Sequence, residues 1–225
     1  MHWSNPVRDY VDDGYAFVYV EGQRPRAVVN VWLQSDDPTL NTGEFWREFI
    51  LLRGKPLHCR RGERLLWSPK AAPLEDQALE DAEAPAASRT LRLVQMRRLA
   101  NRFHARIYKD ESPNELRIMR QPLYRYQDQD AGILDGALFA FAEANDAELL
   151  LLIEAAARNN GRTHEWQYAL ARITSYRLVV QLDDDEIFSV EDYWKGARNI
   201  DDPYLEKKDS RYSLRDRQGD APTPP

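Results

Sequence analysis

The chain lacks several features that would settle its class. It has a single cysteine, Cys59, among 225 residues, which excludes an internal disulfide framework. No apolar run approaches the roughly 20 residues that a helix needs to cross a bilayer, so the sequence predicts no transmembrane helix. The opening residues, MHWSNPVRDY, lack the apolar core and cleavage site of an export signal, and we therefore expect a cytoplasmic protein.

Glycine and proline are also scarce, at ten and thirteen residues, which excludes collagen and low-complexity chains. Hydrophobic residues make up 43% of the sequence and charged residues 30%, which is typical of globular domains with a sizeable core. Acidic residues outnumber basic ones by 37 to 31, for a net charge of -6. This balance argues against a general nucleic-acid binder.

Motifs of the common catalytic and cofactor sites are missing as well. The sequence contains no GxSxG, GxGxxG or GxxxxGK[ST] segment, and no two of its four histidines have the helical spacing of a zinc motif. His58 and Cys59 adjoin in a predicted strand and point to opposite faces, which excludes a local dyad. We therefore expect no metal and no cofactor, and the sequence does not decide whether the protein is an enzyme.

What the sequence does contain is an internal repeat. DGYAFVYVEGQRPRAVVNVW, from Asp13, aligns with DGALFAFAEANDAELLLLIE, from Asp135. We interpret the repeat as two copies of one β-meander, at about 5–69 and 121–190, and the shared composition of strand-rich segments is the alternative explanation. The matched pairs are Asp13 and Asp135, Gly14 and Gly136, Phe17 and Phe139, Glu21 and Glu143, and Trp46 and Trp166.

The repeat predicts a mainly β, α+β fold in which two related antiparallel meanders pack together under one covering helix. We expect that helix at about 88–102, with Ser88 as its N-cap, followed by strands near 103–109 and 115–127. The predicted segments are an N-terminal meander at 1–69, an acidic linker rich in proline and alanine at 70–87, a helix with the second meander at 88–205, and a disordered tail at 206–225.

Loop positions in the second copy predict how its strands pair. They place Glu154 opposite Trp166, Leu152 opposite Tyr168, and Glu148 opposite Arg172. Both faces of this predicted sheet are apolar, so we expect a layer on each side, formed by the first copy and by the helix.

Glu154 interrupts an apolar run, which makes it the main candidate for a functional acid, with Arg172 or Arg177 as the expected partner. Together with the facing Trp166, Glu154 and Arg172 form the candidate binding site. A glycosidase-like pair of Glu143 and Glu154 is disfavoured, because the predicted register puts the two carboxylates on opposite faces.

Two acidic loops and one basic helix offer weaker candidates. The run 128–132 resembles the start of a calcium loop but lacks ligands at the fifth and twelfth places, and 183–186 is predicted to be a hairpin turn. The helix 88–102 carries five arginines, which suit either phosphates and an acidic partner or a solvated face with local ion pairs. Rows of Trp and Tyr on the strands suit either ligand stacking or ordinary packing.

The runs LRLVQMRRLANRFHARIY, ELRIMRQPLYRY, DGALFAFAEANDAELLLLIE and WQYALARITSYRLVV, together with the N-terminal hairpin, carry a resemblance over most of 10–205. The chain resembles an uncharacterised family of bacterial proteins that recurs in planctomycete-type genomes. The resemblance implies a bacterial domain and brings no activity, ligand or catalytic residue with it.

The sequence as a whole favours a non-enzymatic binding or protein-interaction module. The alternative is an enzyme, such as a hydrolase, with its site between the two meanders. A third hypothesis is a structural subunit that dimerises through an exposed sheet edge. The expected partner is a protein or a small molecule, with no membrane and no nucleic acid, and a homodimer is among the expected assemblies.

Overall fold

The computed structural model describes residues 2–3, 11–37, 42–54, 57–70, 74–109 and 112–213. Over these residues the chain is mainly antiparallel β-sheet with a single α-helix, which confirms the predicted α+β, mainly β class. In chain order the elements are β1 (His2–Trp3), β2 (Val11–Glu21), β3 (Arg24–Asp37), β4 (Thr42–Leu51), β5 (Cys59–Arg61), β6 (Arg64–Trp67), β7 (Gln77–Ala78), α1 (Arg89–Ala100), β8 (Phe103–Lys109), β9 (Ser112–Glu115), β10 (Arg117–Ile118), β11 (Tyr124–Asp128), β12 (Ile133–Glu143), β13 (Asp146–Arg158), β14 (Thr163–Arg172), β15 (Arg177–Leu182), β16 (Asp185–Val190) and β17 (Tyr204–Ser213).

Among the described residues these strands form four sheets. Sheet A has the order β1-β2-β3-β4-β17, and sheet B is the hairpin β5-β6. Sheet C has the order β10-β12-β13-β14-β7, with β11 also paired to β12, and sheet D has the order β16-β15-β8-β9. Each predicted meander is thus three consecutive strands in one sheet, β2-β3-β4 or β12-β13-β14, followed by a hairpin that lies outside that sheet.

Sheet C lies at the centre of the molecule and is covered on both faces, as expected. One face packs on sheet A, where Leu138 and Leu152 join Val28 and Ile50 in a single core cluster. The other face packs against α1 and sheet D through residues such as Phe139. Because water is excluded from both faces, the central strands β12 and β13 are apolar at most positions.

The helix begins and ends close to the predicted positions. Met96, Leu99 and Ala100 form its buried stripe, and they pack on sheet C as predicted. Ser88 occupies the N-cap position but its side chain makes no capping hydrogen bond. Its backbone carbonyl instead accepts the amide hydrogen of Arg92.

The predicted register of β13 and β14 is wrong by one residue. Glu154 lies opposite Gln167, Ala155 opposite Trp166, and Leu149 opposite Arg172. A shift of one residue moves every side chain of a strand to the other face of the sheet. The strands close at Arg158 and Thr163, and the four residues 159–162 connect them.

Three segment predictions also need correction. The strand predicted at 115–127 is divided among β9, β10 and β11, which belong to two different sheets. The linker at 70–87 is not a free spacer, because β7 pairs with β14 and Leu79 is buried in the core. The tail predicted to be disordered from 206 continues as β17, which pairs with β4 through Ser213. Residues 214–225 lie outside the described part.

Candidate functional site

Glu154 lies between sheets C and A, at the centre of a polar network. Arg24, from β3, donates to it twice, with Nε to Oε1 at 2.7 Å and Nη2 to Oε2 at 2.5 Å. Gln167 donates to Oε2 at 3.0 Å, and Arg53 donates to the same oxygen at 3.4 Å. The Tyr126 hydroxyl donates to Oε1. Glu154 therefore ties the two sheets together.

The Glu154 carboxylate is fully occupied. A carboxylate offers about four lone-pair sites, and the donors described above already use them. The side chain is only 1% exposed. Although burial alone would raise its pKa, hydrogen bonds and charge from Arg24 and Arg53 lower the pKa below the usual value. Glu154 is thus held as a buried, saturated anion, which is an arrangement suited to structure and not to proton transfer.

The other two residues of the predicted site lie elsewhere, and neither contacts Glu154. Trp166 faces the opposite side of sheet C and donates its indole N–H to the Glu83 carbonyl at 2.9 Å. Arg172 donates to the backbone carbonyls of Thr174, Tyr176 and Glu191 and lies over the Tyr204 ring. The one-residue register shift places Trp166 opposite Ala155 and on the other face from Glu154. Arg172 lies opposite Leu149, several residues along the sheet from Glu154, so the predicted constellation does not form.

A second buried network lies at another point between the two sheets. The Trp3 indole donates to Asn30 Oδ1 at 2.8 Å, the Asn30 amide donates to Glu48 at 3.3 Å, and the Tyr204 hydroxyl donates to Glu48 at 2.6 Å. Burial, reinforced by the charge of Glu206, raises the pKa of Glu48 to about 8. The adjoining cavity measures about 20 Å³, which is room for about one water molecule and not for a substrate.

A larger concavity of about 430 Å³ opens at the margin of sheets A and C, above Arg24 and Arg53. It is the kind of pocket that the enzyme hypothesis predicts between the meanders. Its arginines, however, are engaged within the protein. Arg26 pairs with Glu21 at 3.1 Å, Arg53 pairs with Asp76, and Arg24 is held by Glu154. The polar groups there already serve to fasten the two sheets.

The weaker sequence candidates are accounted for by local structure. Asp128 accepts the amide of Ala131 at 3.1 Å, as expected for a turn, and Asp183 pairs with Arg102 at 2.7 Å. Burial raises the pKa of the Cys59 thiol, which disfavours a reactive thiolate. Within the described residues no group of three or more His, Cys, Asp or Glu side chains is arranged to hold a metal ion.

A row of exposed aromatic side chains lies on β2, at the surface of sheet A. Tyr15, Phe17 and Tyr19 are 52%, 52% and 58% exposed, and they project from the face of sheet A that points away from sheet C. Sheet B covers part of that face, through Leu66 and Trp67, but leaves the row open. We call Tyr15, Phe17 and Tyr19 the aromatic row.

The backbone edge beside the aromatic row is also open. β1 pairs with β2 only at Gly14 and Tyr15. In the described part of the chain, no strand pairs with the outer edge of β2 at 17–21. An unpaired edge presents free N–H and C=O groups to any strand that approaches it.

Sequence reasoning missed this surface, although it singled out many aromatic residues. Trp67, Trp166 and Tyr126 are buried, so they are packing residues. In β2 the aromatic residues alternate with Ala and Val. Both sets are apolar, so the sequence pattern does not reveal which set faces solvent.

Comparison of the chain with protein-family models, with curated proteins and with solved structures found no match. The resemblance to planctomycete-type bacterial proteins therefore stays a prediction. Among the described helices, none has the length and apolar character required to cross a membrane.

Proposed function

We propose that this protein is a non-enzymatic interaction module that joins a second copy of itself through the outer edge of β2. The observation that carries the proposal is the open edge at 17–21 next to the exposed aromatic row. Strand addition at a free sheet edge is a recurrent mode of protein association, in which backbone hydrogen bonds give affinity and side chains give specificity.

A second copy fits this edge because the edge is complementary to itself. An antiparallel pair centred on Tyr19 would use residues 17–21 of both chains, and it would stop where β1 begins. Such a pair has the twofold symmetry of most homodimers. It would also bring the two aromatic rows side by side and bury them together.

The charge pattern supports self-association. Residues 15–20 carry no charge, whereas lysine is a common protection of sheet edges that stay monomeric. The register of β2 on β3 shifts between Tyr19 and Val20, so the proposed pair is centred on this irregularity. The nearest charged group along the strand is Glu21, which pairs with Arg26 of its own chain. No like charges would therefore meet at the centre of the proposed pair.

The enzyme alternative receives less support. The acids between the sheets are either saturated, as Glu154 is, or next to a cavity too small for a substrate, as Glu48 is. Most of the space between the sheets is filled by their shared core, and the concavity at their margin is lined by Arg24, Arg26 and Arg53, which pair with acids of the same chain.

We further propose that the two meanders derive from one duplicated unit. In each, an aromatic ring lies directly over the glycine of the matched Asp-Gly pair: a Cβ atom on Gly14 would meet the Trp3 ring at 2.1 Å, and one on Gly136 would meet the Tyr126 ring at 2.7 Å. A superposition of β2-β3-β4 on β12-β13-β14 tests this, and rings that did not coincide would contradict it.

The mass of the full chain in solution tests the proposed function. We expect a dimer by light scattering after size exclusion, and we expect Tyr19→Lys to be monomeric, because two lysines would face each other across the twofold axis. Leu91→Lys is the matched control: Leu91 is 56% exposed on α1, and that variant should stay dimeric. A wild-type monomer at the highest soluble concentration, or a Tyr19→Lys dimer, would overturn the proposal.

A further inference from the structure

A cavity of about 730 Å³ lies between the end of α1 and β10, on the side of sheet C away from sheet A. Its walls include Arg97, Arg117 and Arg120, and its floor is apolar, formed by Ile118 and Phe139. The volume is within the range of small-molecule sites, which commonly combine an apolar lining with a few polar groups.

The charged residues that line this cavity are all arginines. None of the lining residues that the structure describes is Asp or Glu, in a chain with more acids than bases. Arg97 donates to the Arg120 carbonyl at 3.1 Å and to Gln121 at 2.6 Å, and Arg117 donates to the Ala144 carbonyl at 2.9 Å. These contacts orient two guanidinium groups without neutralising them.

Three of the other arginines of the predicted helix 88–102 form ion pairs. Arg92 pairs with Asp135 at 2.9 Å, Arg98 with Glu83 at 3.0 Å, and Arg102 with Asp183 at 2.7 Å. Arg120 is exposed, and its guanidinium has no hydrogen bond or ion pair within the described residues. Local ion pairing therefore explains most of the basic helix but leaves the positive charge of the cavity uncompensated.

We propose that this cavity binds a small organic anion, with a phosphate or carboxylate group held by Arg97, Arg117 and Arg120 and an apolar body resting on the floor. Guanidinium groups present paired N–H donors whose spacing matches the oxygens of both anions. The apolar floor gives a ligand with a ring or an alkyl chain an advantage over the bare anion. This inference does not depend on the proposed dimer, because the cavity and the edge of β2 lie on different sheets.

Calorimetric titration of the full chain tests the site with pairs of probes. The two probes of a pair carry the same charged group, and only one of them carries an aromatic ring. The probes are inorganic phosphate against phenyl phosphate, and acetate against benzoate. We expect saturable binding of phenyl phosphate or benzoate, at least about tenfold tighter than the matching bare anion. If phenyl phosphate binds more tightly than benzoate, the natural charged group is a phosphate, and if benzoate binds more tightly, it is a carboxylate.

Variants locate the binding. Arg120→Gln should weaken the preferred ring probe by about tenfold, because it removes a charge-assisted hydrogen bond, and Ile118→Ala should weaken the ring probe but not the bare anion. Arg98→Gln removes the same charge from α1, outside the cavity, and should leave binding unchanged. Circular dichroism confirms that each variant is folded. Absence of saturable binding, or equal losses in Arg98→Gln and Arg120→Gln, would overturn the proposal.

Discussion

At the scale of single residues, two buried glutamates show how partners decide protonation. Arg24 and Arg53 lie within hydrogen-bond reach of Glu154, and the pKa of Glu154 is lowered. Glu48 has Tyr204 and Asn30 as neutral donors and Glu206 as a nearby acid, and its pKa is raised to about 8. The same side chain in the same interior is therefore an anion in one place and a neutral acid in the other at pH 7.

Replacing Glu154 should destabilise the protein strongly. Glu154→Ala removes the buried anion that Arg24 binds with two hydrogen bonds. Among the described acids, Asp76 alone is then left to pair with Arg24 and Arg53. Breaking a buried pair of this kind costs on the order of 3 kcal/mol. Urea denaturation measures the loss. Glu165→Ala, which breaks an exposed pair with Arg158 on the adjoining strand, should change the free energy of unfolding by less than about 1 kcal/mol. Equal effects of the two changes would contradict the structural role of Glu154.

The unusual position of Glu154 could be read from the sequence, but its partners could not. A glutamate that continues an apolar run must be buried with a partner, and that much was predictable. Arg24 and Arg53 lie about 130 and 101 positions away along the chain, and no local pattern connects them to Glu154. The nearer arginines, Arg172 and Arg177, were the natural but wrong choice.

At the scale of elements, the loop between β13 and β14 fixes the register of the two strands. Asn159, Asn160 and Gly161 all have left-handed backbones, with φ of 51°, 57° and 82°. Asn and Gly are the residues that adopt this conformation most readily. Three such residues in succession turn the chain within four residues, so Arg158 pairs with Thr163 and Glu154 with Gln167. The predicted pairing of Glu154 with Trp166 was one position away from the register that this loop sets.

The last strand should be required for folding. A chain that ends at Pro203 lacks β17, and with it Tyr204, the partner of Glu48, and Leu205, which is part of a core cluster. Losing these buried side chains should cost several kcal/mol, at about 2–5 kcal/mol for one large core residue. A chain that ends at Ser213 keeps β17 and should match the full chain in a urea unfolding curve. Equal stability of the two truncated chains would show that β17 contributes nothing to folding.

At the scale of the whole molecule, the layered arrangement was predictable because composition alone requires it. A sheet that is apolar on both faces must be covered twice, and the sequence offered the first meander and one helix for that purpose. The contribution of sheet D was not predictable. Its strand β8 precedes the second meander and β15 follows it, and their pairing brings together segments about 70 residues apart in the chain.

The stability of the whole molecule should fall as pH rises from about 4.5 to about 8. Over this interval the folded state keeps a proton on Glu48 that the unfolded state releases, so the unfolded state is favoured by rising pH, by on the order of a few kcal/mol in total. Glu48→Gln should flatten this slope in urea unfolding at about pH 5 and pH 8, whereas Glu186→Gln, on an exposed strand, should retain it. A slope unchanged in Glu48→Gln would exclude Glu48 as its source.

Each half of the chain lends a strand to the sheet of the other half. β7, from the segment before the helix, completes sheet C, and β17, from the end of the chain, completes sheet A. During synthesis on a ribosome, β2, β3 and β4 emerge long before β17, so the edge of β4 remains unpaired until residues 204–213 have emerged. Nascent chains on one messenger RNA would therefore display open strand edges to one another, and such edges are the surfaces on which incomplete chains aggregate.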